Sequence, residues 1–280
     1  MGKKFADCDT LTKRKNMSLS IRQATISAFT ELLETVEQEY ETYGSYLTLH
    51  TKDGKRFLPV RPLVLGGDDM TFVCAAKVAI PYAKFLMENL MARGIASCGG
   101  IAILPSSYPF FRGYEMAEQL CGAAKNRMRA LQAKKGCDSC WLDFAMLHGE
   151  QAPTLEQIRA EEYGGVLGNL HFGPYRVDAE ENQADSLAAL LCGVREMRSG
   201  SHRMPRNKIK ELRRVLARGA HEQREFLAQL RYLGQSCEAM RLPQVAAWKP
   251  YEESLWHQGR TPYIDVIELL DYIPAEKGAE

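Results

Sequence analysis

"RPLVLGGDDMTFVC", residues 61–74, sets two glycines and two aspartates between two short apolar runs. The runs at 60–65 and 70–75 are rich in β-formers, and Gly and Asp are the residues that tolerate the positive φ of a tight hairpin loop. The stretch therefore predicts an antiparallel hairpin with Gly66, Gly67, Asp68 and Asp69 at its tip. Two readings of that tip stand side by side. A hairpin loop of this composition needs no function. Equally, glycines let a phosphate or a metal approach the backbone, and two carboxylates offer the oxygen donors that Mg²⁺ and Mn²⁺ prefer. Metal ions held there can clamp the attacking and leaving oxygens of a phosphoryl transfer.

Upstream, Ser18 or Ser20 is positioned to cap a helix running to about residue 41, with Ile21, Ile26, Phe29, Leu32, Leu33 and Val36 near helical spacing. Asp53-Gly54 then signals a small hairpin between 46–50 and 56–60. Downstream, residues 81–93 predict a helix with Pro81 in its first turn. Residues 95–104 read as a buried glycine-broken strand, 112–134 as a long helix, and 140–147 as an alternating strand. Helix, hairpin, helix, strand, helix, strand is the order of an α+β palm, a ferredoxin-like antiparallel sheet with helices packed on it. After Gly149 the texture changes. Thr154 and Gln157 form a capping box, residues 164–178 read as loop, and the chain from about Gln183 is helical and polar, broken near Gly219. Residues 261–273 predict a last amphipathic helix with Pro262 near its start. The expected domains are a palm over 1–150 and a mainly helical region over 151–280.

The bulk numbers bound the function. A chain of 280 residues with 45% apolar and 25% charged residues is long enough for a substantial core. A formal charge of +1 leaves no global field for nucleic acid or membrane, so a charged partner must be met by a local patch. The N-terminus has no apolar signal-peptide core and no run is long enough to span a bilayer, so a cytoplasmic, reducing setting without membrane contact is expected. Cys137 and Cys140 form a lone CxxC that lacks the second pair a zinc site needs and reads as two thiols flanking a strand start.

Several segments in order resemble a known family. CGGIAI at 98–103, YPF at 108–110, AEQLCGAAK at 117–125 and LDF at 142–144 follow GGDD at 66–69. The arrangement is similar to the palm of diguanylate-cyclase-type enzymes. It more closely resembles the second palm domain in the large subunit of type III CRISPR effector complexes, across roughly residues 1–148. That resemblance implies that Asp68 and Asp69 are metal-binding, catalytic aspartates, and that Gly66 and Gly67 admit nucleotide phosphate. It implies that Lys125 reaches a triphosphate, with a solvated lysine at a helix end as the alternative. It further implies ATP as substrate, Mg²⁺ or Mn²⁺ as cofactor, nucleotidyl transfer into cyclic oligoadenylate for antiviral defence, and RNA and other effector subunits as partners.

One part of the pattern is missing. Family members carry a strand and then a Met-Gly-Lys-x-Phe motif ahead of the first helix, and the first methionine here falls inside that motif. The expectation is a palm without its first strand and that strand's acid, either a fragment of a longer gene or a degenerate, stand-alone palm. The alternative function is then an inactive palm that serves as a scaffold or an RNA- or protein-binding subunit. A diguanylate-cyclase-like signalling domain fits less well, because the hairpin ends Asp-Asp-Met. Asp7 and Asp9 read as an N-terminal turn or helix cap. The basic run 203–218 is either a solvated helix face or a contact for RNA phosphates. His148 and His171 read as structural or surface, and Trp248 and Trp256 as core residues on one helical face.

Overall fold

The computed structural model describes residues 9–147, 153–199, 205–234, 242 and 244–274. The chain forms two compact units, Met1–Ser97 with Asp138–Cys140, and Cys98–Cys137 with Trp141–Glu280. The boundary expected near residue 150 falls, like His148, outside the described residues.

In the first unit, helix α1 spans Leu11–Gln38 and is capped by Thr10, whose Oγ1 accepts a hydrogen bond from the Lys13 amide at 3.3 Å. The helix thus starts well before Ser18 and Ser20. No Gly or Pro interrupts the segment after Thr10, and both serines sit exposed on the helix surface, where they cost little. Asp9 pairs with Lys13 at 2.8 Å beside the cap. Ile21, Thr25, Ala28, Phe29, Leu32 and Val36 form the buried stripe.

A short helix α2, Tyr40–Tyr43, leads to strands β1, His50–Lys52, and β2, Lys55–Phe57. Asp53 and Gly54 join them with φ of 52° and 72°, positive at both central residues as a type I′ turn requires. Strands β3, Val60–Gly66, and β4, Asp69–Cys74, form the second expected hairpin.

Helix α3, Ala76–Ala92, begins a turn earlier than Pro81 predicts and carries that proline inside it. The reason is packing. Val78, Tyr82, Leu86 and Leu90 make one buried stripe, and placing Val78 in the core draws the chain into the helix before the proline. The stripe closes on Phe29, Leu32 and Val36 of α1, on Tyr43, and on Val60 of β3.

In the second unit, β5, Cys98–Ile103, is followed by α4, Phe110–Lys135, and by β6, Trp141–Met146. Strands β5 and β6 pair in parallel, in register from Cys98↔Trp141 to Ile103↔Met146. A helical crossover returns the chain to the end where β5 began, which makes the pair parallel. The chain is therefore mixed α/β, but the strands expected in one antiparallel-centred sheet fall into separate sheets, with β3–β4 in one and β5–β6 in another. The antiparallel strand β9, Tyr175–Arg176, covers the other edge of β6, so β6 is central and every residue of Trp141–Met146 is buried. This replaces the expected alternation.

Gly100 of β5 lies hard against the backbone of α4. A Cβ there would lie 2.2 Å from the Ala117 carbonyl oxygen and 2.4 Å from the Cys121 amide nitrogen.

Helix α5, Leu155–Glu161, carries the expected capping box of Thr154 and Gln157. The stretch read as loop contains a small hairpin, β7, Gly164–Gly165, and β8, Gly168–Asn169, before β9, Tyr175–Arg176. Helices α6, Leu187–Ser199, α7, Arg206–Arg218, and α8, Ala220–Tyr232, follow. Gly219, at φ +116°, breaks α7 from α8 where the sequence predicts. A 3₁₀ turn, Ala246–Tyr251, and helix α9, Tyr263–Leu269, complete the unit. Trp248 and Trp256 are buried as expected, but not on one helical face: Trp248 lies in the 3₁₀ turn, which holds Pro250, and Trp256 lies beyond it in irregular chain.

Gly100→Ala places a methyl group against helix backbone that cannot yield. It is expected to cost about 3 kcal/mol or more, the upper range for overpacking, read as a lowered midpoint in urea denaturation. Gly122→Ala, on the same helix with open space around its Cα, is expected to cost nothing or to stabilise slightly.

Candidate functional site

The β3–β4 hairpin closes with Gly66 opposite Asp69, leaving Gly67 and Asp68 as its two central residues. Gly67 has φ +64° and Asp68 does not adopt positive φ, the pattern of a turn with glycine at its first central position. Asp68 and Asp69 are both exposed. A Cβ added at Gly66 or Gly67 would meet nothing within 4 Å, so the backbone of the tip is open to approach. The tip is also anchored. The Thr25 hydroxyl, on the buried stripe of α1, donates to the Gly67 carbonyl at 3.1 Å. Phe72 of β4 packs against Phe29 of α1 with ring centroids 5.9 Å apart.

A cleft of about 490 Å³ opens on the same stretch of α1. Ser20, Gln23 and Ser27 line it with polar groups and Met17, Ile21 and Ala24 with apolar ones, while Arg93, Gly94 and Ile95 close the other side. Ala24 directly precedes Thr25, so the cleft lies beside the point where the hairpin tip is pinned. Its size is that of a small-ligand site. The Arg93 guanidinium is the cleft's cation. It is held by the Glu31 carboxylate and by the Asn89 carbonyl at 3.0 Å.

The structure thus brings Gly66, Gly67, Asp68 and Asp69 together at one tip. Lys125 is exposed on α4 and belongs to the second unit. Among the described residues, no group of three or more His, Cys, Asp or Glu side chains gathers where a metal ion could be held. The tip accordingly offers two carboxylates. That donor set suits a hard ion that keeps most of its waters and takes further ligands from substrate phosphates, as Mg²⁺ does.

The second unit holds a different cluster of charge, which the sequence reading missed. His171 is fully buried, and each ring nitrogen faces a carboxylate: Nε2 lies 2.8 Å from Asp143 Oδ1 and Nδ1 lies 3.0 Å from Asp265 Oδ1. Asp143 sits mid-strand on β6 and Asp265 on the buried face of α9. The second oxygen of Asp265 accepts from the amides of Phe172 and Gly173 at 2.9 and 3.2 Å and from the Tyr175 hydroxyl at 2.6 Å. Arg159 donates to both oxygens of Asp143 at 3.2 and 3.3 Å. Nearby, Glu268 accepts from Tyr163 at 2.7 Å and from Arg213 at 2.9 Å.

Ionised carboxylates only accept hydrogen bonds, so an imidazole bonded to one through each nitrogen must carry both protons. Burial opposes the charge on His171, and Arg159 adds to that opposition. Asp265 and Asp143 outweigh both and raise its pKa above the ordinary value. Burial likewise works against ionised Asp265, but His171, Tyr175 and Arg159 overcome it and lower its pKa. A Cβ at Gly173 would lie 2.5 Å from His171 Nε2 and 2.8 Å from Asp143 Oδ1, so the cluster is packed shut. It is a clamp between strand, loop and helix, not a ligand site. The one signal in the sequence was an aspartate amid apolar residues in each of "WLDFAM" and "YIDVIEL", since a buried carboxylate requires a partner.

No family model matches this chain, and no curated protein matches it. Among the described residues no helix is long and apolar enough to cross a membrane.

The clamp predicts an alkaline limb of instability. A histidine whose folded pKa is raised contributes stability that is fully present below its unfolded pKa of about 6.5 and is lost as pH rises through the folded value. Asp265, with a depressed folded pKa, contributes stability present above its unfolded value and lost as pH falls through the folded one. Thermal melts between about pH 6 and 10 are expected to show the melting temperature falling on the alkaline side. His171→Gln is expected to flatten that limb and to cost about 3–5 kcal/mol at neutral pH, because it leaves buried carboxylates unpaired.

Proposed function

We propose that this chain is a palm-type nucleotide-binding protein that takes ATP with Mg²⁺ or Mn²⁺ at the GGDD hairpin. Its activity class is nucleotidyl transfer of the cyclic-oligoadenylate kind, and RNA and the other subunits of a type III CRISPR-like effector assembly are its partners. The observation that carries this reading is the anchored hairpin tip, with two exposed carboxylates and an open glycine backbone, beside a nucleotide-sized cleft on α1.

Each part has a task. Asp68 and Asp69 hold the metal ion, which when bound supplies charge neutralisation and polarisation of the substrate phosphates. Gly66 and Gly67 leave the tip free of side chains, so a triphosphate can lie against backbone. Thr25 fixes the tip relative to α1, so that the carboxylates stay in one place while the ligand is held. In the cleft, Ile21 and Ile95 offer apolar surface for a base, Ser20, Gln23 and Ser27 offer hydrogen bonds to its edge or to a sugar, and Arg93 offers a cation to phosphate. Lys125 is assigned the triphosphate role on the resemblance of its segment alone.

A second reading, an inactive palm that serves as a scaffold or an RNA- or protein-binding subunit, is favoured by one observation: the tip gathers two carboxylates and no third protein ligand among the described residues.

Calorimetric titration with ATP in Mn²⁺, followed by incubation with α-labelled ATP with and without RNA, separates the two. The first reading expects binding and labelled oligonucleotide product, with Asp68→Ala/Asp69→Ala abolishing product and weakening ATP by about tenfold or more, some 1.4 kcal/mol. Binding without product selects the second reading. Absence of ATP binding by the unaltered chain removes the first reading and leaves the scaffold. Thr25→Val, which keeps the shape but loses the bond to Gly67, is expected to leave the fold intact and weaken ATP by several-fold, consistent with one lost hydrogen bond of about 1 kcal/mol.

A further inference from the structure

Helix α7 carries six basic residues and one acid in thirteen positions, in a chain whose formal charge is only +1. Half of that charge is already engaged. Arg206 pairs with Asp271, Lys208 with Glu211 at 2.9 Å, and Arg213 with the buried Glu268 at 2.9 Å. Lys208 also lies over the Phe226 ring of α8. The remaining three, Lys210, Arg214 and Arg218, are exposed and make no ion pair with the described residues.

Their placement is not scattered. At 100° per residue they fall within an arc of about 80°, with successive residues about 6 Å apart along the axis. The opposite arc holds Ile209, Leu212, Val215 and Leu216, all buried, so the helix is fixed and the cationic stripe is held facing outward. Asn207 shares the outward arc and Ala217 sits at its edge. The one acid of the helix, Glu211, sits at its margin and is engaged by Lys208.

We propose that the Lys210–Arg214–Arg218 stripe is a docking surface for single-stranded nucleic acid, recognised through its phosphates. Charge complementarity selects the occupant. Three unpaired cations on a rigid line meet a polyanion of regular spacing, and they gain most where each replaces condensed counterions. Arginine at two of the three positions suits phosphate, which it can grip with two parallel donors. A membrane surface fits poorly, because a helix that lies on lipid inserts an apolar face, and the apolar face of α7 is spent on the protein core. Helix α7 has no aromatic residue on which a base could stack, so the contact is expected to run through phosphate and to depend little on sequence. It is independent of the ATP reading, since it uses none of the residues at the hairpin tip.

The test is fluorescence anisotropy of a labelled twenty-nucleotide oligouridine with the full chain, across salt. Binding that weakens with salt is expected, with a slope of about −2 in the logarithmic plot for three phosphates on a single strand. Lys210→Gln/Arg214→Gln/Arg218→Gln is expected to remove most of that slope and to weaken binding at low salt by about tenfold or more. A control, Arg129→Gln/Lys134→Gln/Lys135→Gln, removes the same charge from exposed positions of α4 and is expected to leave binding nearly unchanged. Circular dichroism establishes that both variants are folded. No binding by the unaltered chain at low salt, equal loss in the control, an unaltered slope in the α7 variant, or preferential binding to phosphatidylserine vesicles would overturn the proposal.

Discussion

A histidine held between two buried aspartates organises the second unit. Asp143 lies in the middle of the central strand, His171 in an irregular segment, and Asp265 on the terminal helix, 28 and 94 residues from His171 along the chain. None of the three can be buried alone, because an isolated charge in a low-dielectric interior carries a large desolvation cost. Burying them together is possible only when strand, segment and helix are all in place. The clamp therefore couples elements that hydrophobic burial alone would let slide, and it extends outward. Asp265 gathers the amides of Phe172 and Gly173, and Arg159 ties Asp143 to α5. Arg260 packs over Phe172 with its guanidinium 4.2 Å from the ring centre and bonds that residue's carbonyl.

The hairpin tip of the first unit follows the opposite logic. Its two carboxylates are exposed and meet no cation among the described residues, and its glycines face open space. A protein that needs acidic groups for structure pairs them inside, as the second unit does. Acidic groups that pair with no cation among the described residues, on a tip whose position is nonetheless fixed by Thr25 and by Phe72 against Phe29, are what the proposed ligand site rests on. That contrast, more than the Gly-Gly-Asp-Asp spelling, is what supports the proposal made for the hairpin.

What could be read in the sequence was local. The two hairpins, the Thr154 capping box and the break at Gly219 each depend on residues within a few positions of one another, where turn and cap chemistry decides the backbone. Where another signal overrode the expected one, the reading failed, through an earlier cap in one case and through tertiary contacts in the others. Ser18 and Ser20 looked like caps, yet the chain upstream of them stays helical to Thr10. Pro81 looked like a helix start, yet Val78 is drawn into the core before it. The "WLDFAM" segment looked half-buried, yet β9 and α4 enclose it on a parallel pairing that no periodicity reveals. The buried clamp was least legible of all, because its members are far apart in sequence and His171 has no ligand-like spacing to any other residue.

The distribution of charge over the molecule follows from the same accounting. With acids and bases nearly equal in number, the chain has little net field, so any strong local field must arise by sorting. The second unit does the sorting. Asp143, Asp265 and Glu268 are drawn inside, each with its own cationic partner, and Arg159, His171 and Arg213 are consumed in meeting them. Helix α7 then keeps three cations that no interior acid claims, on the side away from its buried leucines. Buried acids and their cations cancel in pairs, so the edge arises from placement alone: a nearly neutral chain presents a cationic edge where Lys210, Arg214 and Arg218 fall on one outward arc of one helix.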